Sequence, residues 1–220
     1  MRKILIQTLA LWVLLLVPLS AWAIVSDYFT AHEDHEVFRD LNLIDGDHTN
    51  KVLRWIRNNR IDMAIADIKF TLTRFPNHPR ALLLMESVAR VSKVPQLPLP
   101  YYEHALEVFP QYAVTYGQYG RYLAEIGKVD EGIQQLNMAV EIDPDYAATY
   151  AWLAEVYSKT GQTNLAKQAA KRARELGYQH QIIDEPGVSA KKSLGCQKCS
   201  NRSNARRSNE YVKWGRRGRQ

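Results

Sequence analysis

Pro76, Pro110 and Pro144 stand 34 residues apart, and so do Ala105, Ala139 and Ala173. Gly127 and Gly161, Ala113 and Ala147, Tyr112 and Tyr146, and Tyr116 and Tyr150 keep the same step. A period of this length marks one helix hairpin repeated along a chain. Such a hairpin cannot bury its apolar face alone and must stack on its neighbours. The period therefore predicts an all-α solenoid, whose curved surface commonly holds another protein.

One unit can be followed residue by residue over 116–144. Tyr116, Tyr119, Gly120 and Leu123 fall at three-to-four spacing and give one helix a single apolar or small-residue stripe. Gly127 supplies a left-handed cap, and Lys128 leads into a second helix. That helix carries Ile133, Leu136, Ala139 and Val140 on its inner face, the small Ala139 allowing close backbone approach. Pro144 ends it, because proline has no amide to donate and restricts Asp143 before it. The next unit repeats the plan with Tyr150, Leu153, Ala154 and Tyr157, then Gly161, Ala166, Ala170 and Ala173.

Two upstream copies are less regular. From Pro79, Leu82, Met85, Glu86 and Ala89 are followed by Tyr102, Ala105, Leu106 and Val108. Lys93 holds the turn position given elsewhere to glycine, and Pro95, Pro98 and Pro100 forbid helix there. A longer elbow is expected, with a late second helix carrying proline in its first turn. The first copy keeps Trp55, Asp62, Ala64, Ile65, Ile68, Leu72 and Pro76, with Thr71 in the alanine column. Terminal repeats are commonly atypical.

On these residues the chain resembles the tetratricopeptide repeat family over about 45–180, in four copies at 45–78, 79–112, 113–146 and 147–180. No tryptophan opens the two regular copies, tyrosine standing there at Tyr116 and Tyr150. The resemblance implies a right-handed superhelical solenoid of about four hairpins whose first helices line a concave groove, with protein or peptide binding as its activity. It names no ligand.

Arg2 and Lys3 precede an apolar run from Ile4 to Val17, followed by Pro18 and by Ala21, Trp22 and Ala23. This pattern predicts a signal peptide over 1–23, cleaved after Ala23, ahead of a polar linker over 24–44. The run is shorter than the about 20 apolar residues that span a bilayer. An uncleaved membrane anchor is the alternative. No cysteine follows the run to accept a lipid, so an exported bacterial protein, periplasmic or secreted, is expected.

Charge is divided along the chain. Residues 24–190 hold 17 Lys and Arg against 22 Asp and Glu, a net −5, whereas residues 191–220 hold 10 against Glu210, a net +9. The segment over 181–220 is expected to be a disordered basic tail. A tail of this kind offers an alternative function, an electrostatic tether for an anionic lipid, polysaccharide or nucleic acid, with Tyr211 and Trp214 able to stack. The plainer alternative is a solvated extension, and no specific nucleic acid is expected of an exported protein. Cys196 and Cys199, the only cysteines, make half a zinc site and lack the strand-helix setting of a redox pair. In an oxidising compartment they can close a local loop or bridge to another chain.

No enzyme is indicated. His32 and His35 are three apart, not the four of the zinc-protease motif, and no phosphate loop or nucleophile elbow is present. No cofactor or metal is expected. The groove should instead be lined by Arg80, Leu83, Leu84 and Ser87 in the second copy, Gln118, Arg121 and Glu125 in the third, and Ala148, Trp152, Glu155 and Lys159 in the fourth. Trp152 and Arg121 are the expected energetic anchors, since aromatic and guanidinium groups dominate hot spots. Their structural alternatives are packing between repeats for Trp152 and solvation for Arg121. Some members of the family grip carboxylates with lysine and asparagine in this groove. Here Thr49, Leu53, Leu83 and Ser87 stand at the first such positions, so that mode is not expected.

Overall fold

The computed structural model describes residues 25–180, and every regular element among them is helical. The expected signal, the basic tail and both cysteines lie outside the described residues. After a 3-10 turn over Ala31–Glu33 comes a helix α1 (His35–Asp47). Four hairpins follow: α2 (Val52–Arg57) with α3 (Ile61–Arg74), α4 (Pro79–Ser92) with α5 (Leu99–Val108), α6 (Ala113–Glu125) with α7 (Val129–Ile142), and α8 (Ala147–Lys159) with α9 (Thr163–Glu175).

The repeat punctuation works as the sequence requires. Helices α3, α5 and α7 stop at Arg74, Val108 and Ile142, each two residues before its proline. Gly127 and Gly161 turn α6 and α8 into their partners at φ 92° and 76°. Lys93 adopts the same left-handed geometry at φ 58°, and the elbow after it delays α5 to Leu99, with proline in its first turn. Ala105, Ala139 and Ala173 are fully buried between helices.

The irregular positions have local explanations. Thr71 keeps its hydroxyl in the alanine column by donating to the Asp67 carbonyl (3.1 Å) and meeting the Thr49 hydroxyl (3.3 Å). The first helix of the first copy is short: a 3-10 turn over Thr49–Lys51 leads into α2, and Trp55 Nε1 donates to Asp67 across to α3 (2.7 Å). The polar stretch expected as a linker over 24–44 becomes helix from His35 onward. Asp34 caps it, accepting from the amides of Glu36 (2.8 Å) and Val37 (3.1 Å). Leu41 and Ile44 then pack with Ala31 on Phe75. Val37, which packs with them, completes an i, i+4, i+7 stripe with Leu41 and Ile44, a helical signal that the expectation of a linker passes over.

Ahead of α1, residues 25–34 form a strap across the loops between repeats. The Ser26 amide donates to the Arg74 carbonyl (2.8 Å), and the Tyr28 amide to the Asn77 side chain (3.0 Å). Asp27 accepts from Asn77 Nδ2 (2.7 Å) and from the Tyr112 hydroxyl. The Phe29 ring lies 4.4 Å from that of Tyr112, and the Tyr28 ring 4.5 Å from that of His78.

His78 joins strap, α1 and α4. Its Nδ1 accepts from the Ala81 amide as the cap of α4 (3.3 Å), so the proton resides on Nε2, which donates to Asp45 Oδ1 (3.0 Å). Burial pushes the Asp45 carboxyl up, but the hydrogen bond from His78, with Thr49 and Arg80, outweighs it and holds the group below its ordinary 3.8. A depressed carboxyl contributes stability above its unfolded value and loses it as pH falls through the folded one. Asp45→Asn should therefore lower the melting temperature at pH 6–7, and the gap to wild type should close below about pH 4. Melts across that range check this, and a gap independent of pH would refute it.

Candidate functional site

The first helices of successive repeats, α4, α6 and α8, pack side by side. Their stripes seal the core, which leaves the intervening residues to form one shared face. On that face Arg121 and Glu125 of α6 meet Glu155 and Lys159 of α8 around a small cleft of about 40 Å³, floored by Ala124, Val129 and Val156. Lys159 donates to Glu155 at 2.6 Å. Four of the expected groove residues are thus brought together, carrying two charges of each sign.

The other expected residues separate into three groups. Arg80, Leu83 and Ser87 are partly exposed on α4; Arg80 donates to Asn50 (2.6 Å) and Ser87 to its own helix at the Leu83 carbonyl (3.0 Å). Leu84 and Gln118 are buried and cannot line a groove. They share a register position with Trp152, and that position faces the preceding repeat: a Cβ built on Gly117 would meet the Trp152 ring at 2.5 Å. Trp152 is half-buried there, edge-on to Tyr146 with ring centroids 6.0 Å apart. It therefore packs between repeats. Gln118 is fully enclosed, and neither amide atom has a hydrogen-bond partner.

Arg121 is not a freely solvated side chain. Its guanidinium donates to Glu86, which is 1% exposed, and to Glu125 Oε2 (3.3 Å). Arg90 bridges the same two carboxylates, donating to Glu86 (3.0 Å) and twice to Glu125 (2.5 and 2.7 Å). Glu86 also accepts from the Tyr102 hydroxyl (2.7 Å). Two acids and two bases thus lock α4 to α6, with α5 attached. The hydrogen bond from Arg90 holds the Glu125 carboxyl below the ordinary range against its partial burial. Burial opposes the Arg121 charge, but Glu86 outweighs it and raises the guanidinium. Burial, with the charge of Glu86, pushes the neighbouring Tyr122 phenol up to about 12.

Arg90 and Glu86 are absent from the expected groove, yet one signal for them exists in the sequence. Glu86 stands at the register of Gly120 and Ala154, where a small residue is the rule. A carboxylate at a buried small-residue position requires charged partners. Arg90 stands one helix turn further along α4, and Arg121 about one repeat further along the chain. The acidic stretch at His32–Glu36 has no comparable arrangement. Its side chains are exposed, and Asp34 is used as the cap of α1.

Models of known repeats match part of the chain. Residues 120–161 match a model of the TPR repeat, and residues 147–176 match a model of the tetratricopeptide repeat. Residues 120–176 carry tetratricopeptide repeats. Among solved structures it is similar to YrrB, described as a TPR protein with an unusual peptide-binding site. The TM-score is 0.46 at 20% identity, covering 66% of this chain and 80% of that one. It is also similar to MamA of AMB-1, with TM-score 0.43 and 15% identity over 70% of this chain and 88% of that one. No curated protein matches the sequence. Stacked tetratricopeptide repeats make a protein-interaction scaffold, and their charged face here lies on α6 and α8.

Proposed function

We propose that this chain is an exported scaffold that holds a protein or peptide partner against the face of α4, α6 and α8, in envelope assembly, secretion, or polymer or pilus biogenesis. The observation that carries the reading is the cleft where Arg121 and Glu125 meet Glu155 and Lys159 on adjacent first helices. Mixed charges on one rigid wall select a partner by electrostatic register, since misplaced like charges are costly. Export rests on the apolar run and on Ala21-Trp22-Ala23.

The test uses Glu155 and Lys159, which bond to each other and supply none of the hydrogen bonds of the locked network, although the Lys159 charge is felt at Glu125. Exchanging them, Glu155→Lys with Lys159→Glu, preserves net charge and the one-turn pair while reversing the pattern. A partner recovered from the producing cell should bind this variant about tenfold or more weakly, with melting and helicity unchanged. Deleting residues 187–220 should matter little. Unaltered affinity in the exchange variant, or loss on tail deletion alone, overturns the groove reading. N-terminal sequencing of the same preparation should find Ile24, and Met1 retained would overturn export by cleavage.

A further inference from the structure

The acid of the folded body is concentrated at one end. Residues 25–47 hold seven Asp and Glu with only Arg39 opposing them, whereas residues 48–180 hold 16 Lys and Arg against 13 Asp and Glu. That acidic end also carries a wide groove of about 700 Å³ between α1 and α3. Its lining combines apolar and charged groups: Leu43, Ile44 and Phe70 with Asp40, Asp47 and Arg74, Asp40 accepting from Arg74 (3.0 Å) and the exposed Asp47 from Lys51 (3.5 Å), so that a docking cation would share these carboxylates. Leu43 and Phe70 are more than half exposed, and the His48 ring lies against Phe70 at 4.2 Å. An aromatic floor rimmed by carboxylates suits a ligand that presents aromatic rings between cations. Anionic lipid headgroups would be repelled by the same rim.

This chain contains one segment of that chemistry. Residues 206–217, RRSNEYVKWGRR, place Tyr211 and Trp214 between two arginine pairs, with Glu210 as the sole acid. We propose that this segment docks in the groove between α1 and α3 of its own chain, Trp214 and Tyr211 meeting Phe70 and Leu43 and the arginines meeting Asp40 and Asp47. Reach permits it. About 30 residues separate His180 from Tyr211 and span up to roughly 100 Å when extended, while four stacked hairpins at about 10 Å each extend roughly 40 Å. Tethering supplies the segment at about millimolar effective concentration, so weak individual contacts suffice. The groove lies apart from the face of α6 and α8, so this docking stands or falls independently of the partner-binding reading.

The test compares the full chain with a tail variant carrying Trp214→Ala, Arg206→Gln, Arg207→Gln, Arg216→Gln and Arg217→Gln. Hydrogen exchange of α1 and α3 should be about tenfold slower in the wild type, and 1 M salt should remove the difference. Exchange of α8 and α9 should be the same in both. A labelled synthetic peptide of residues 202–219 should bind the tail variant and bind the wild type at least tenfold more weakly, because there the groove is occupied. Phe70→Ala or Asp47→Lys, added to the tail variant, should weaken the peptide about tenfold. Equal exchange of α1 and α3 in the two chains, or equal peptide binding by both, overturns the proposal. So does protection that increases with protein concentration, which would place the segment in the groove of a second copy.

Discussion

Glu86→Ala should destabilise the protein by about 3–5 kcal/mol, because it strips a buried carboxylate from two arginines and a tyrosine hydroxyl. Arg121 would be left part-buried with Glu125 as its remaining anion, and the Tyr102 hydroxyl, at zero exposure, would lose the Glu86 carboxylate. For a folded region of this size such a loss corresponds to a fall in melting temperature on the order of 10 °C. Adding Arg121→Leu to Glu86→Ala should restore part of the loss, since a neutral side chain needs no counter-ion. Thermal melts of the three variants decide the matter. A Glu86→Ala protein melting with the wild type would show that the four-charge lock contributes nothing.

The second large effect belongs to the closest approach between helices. A Cβ on Gly120 would lie 2.6 Å from the Gly132 carbonyl oxygen and 2.9 Å from the Leu136 amide, while one on Gly132 would lie 2.6 Å from the Gly120 carbonyl oxygen. These neighbours are backbone, so only a separation of α6 from α7 relieves the clash. Gly120→Val and Gly132→Val should each cost about 3 kcal/mol, and even alanine should destabilise despite its helix preference of about 1 kcal/mol over glycine. Gly46, inside α1 with nothing within 4 Å of its Cβ position, supplies the opposite sign. Gly46→Ala should stabilise by up to about 1 kcal/mol. Chemical denaturation of the three positions measures both signs, and a neutral Gly132→Val would mean that α6 and α7 do not meet as described.

These two sites also show what the chain disclosed before its structure. The alanine column, the proline stops, the left-handed turn at Gly127 and the longer elbow after Lys93 were legible because backbone geometry forces them at a fixed period. The small residues Gly120 and Gly132 belong to the same class of signal. Helix α1 was missed although its Asp34 cap and its stripe of Val37, Leu41 and Ile44 carry the helical period, because it lies outside the 34-residue repeat and its acids read as a linker. Nor was the division of the groove residues. Leu84, Gln118 and Trp152 sit between core stripes in sequence, but whether such a position meets solvent or the previous repeat depends on how far neighbouring hairpins rotate, and no single helix encodes that. Arg121 lies on the shared face beside Glu125, while its buried partner Glu86 went unseen, because that residue comes from α4 one repeat earlier.

The strap over residues 25–34 alters how such a molecule can come apart. An array held together only by nearest neighbours frays from both ends, each terminal unit having a single interface to lose. Here the hydrogen bonds of the strap run from Arg74 through Asn77 to Tyr112 and lash the leading repeats into one block. Breathing is thereby shifted toward the trailing end, where no such lashing holds α8 and α9 among the described residues. A ligand seated over α6 and α8 would rest on the seam between the part that is tied down and the part that loosens, and its arrival would register first as a quieting of that last hairpin.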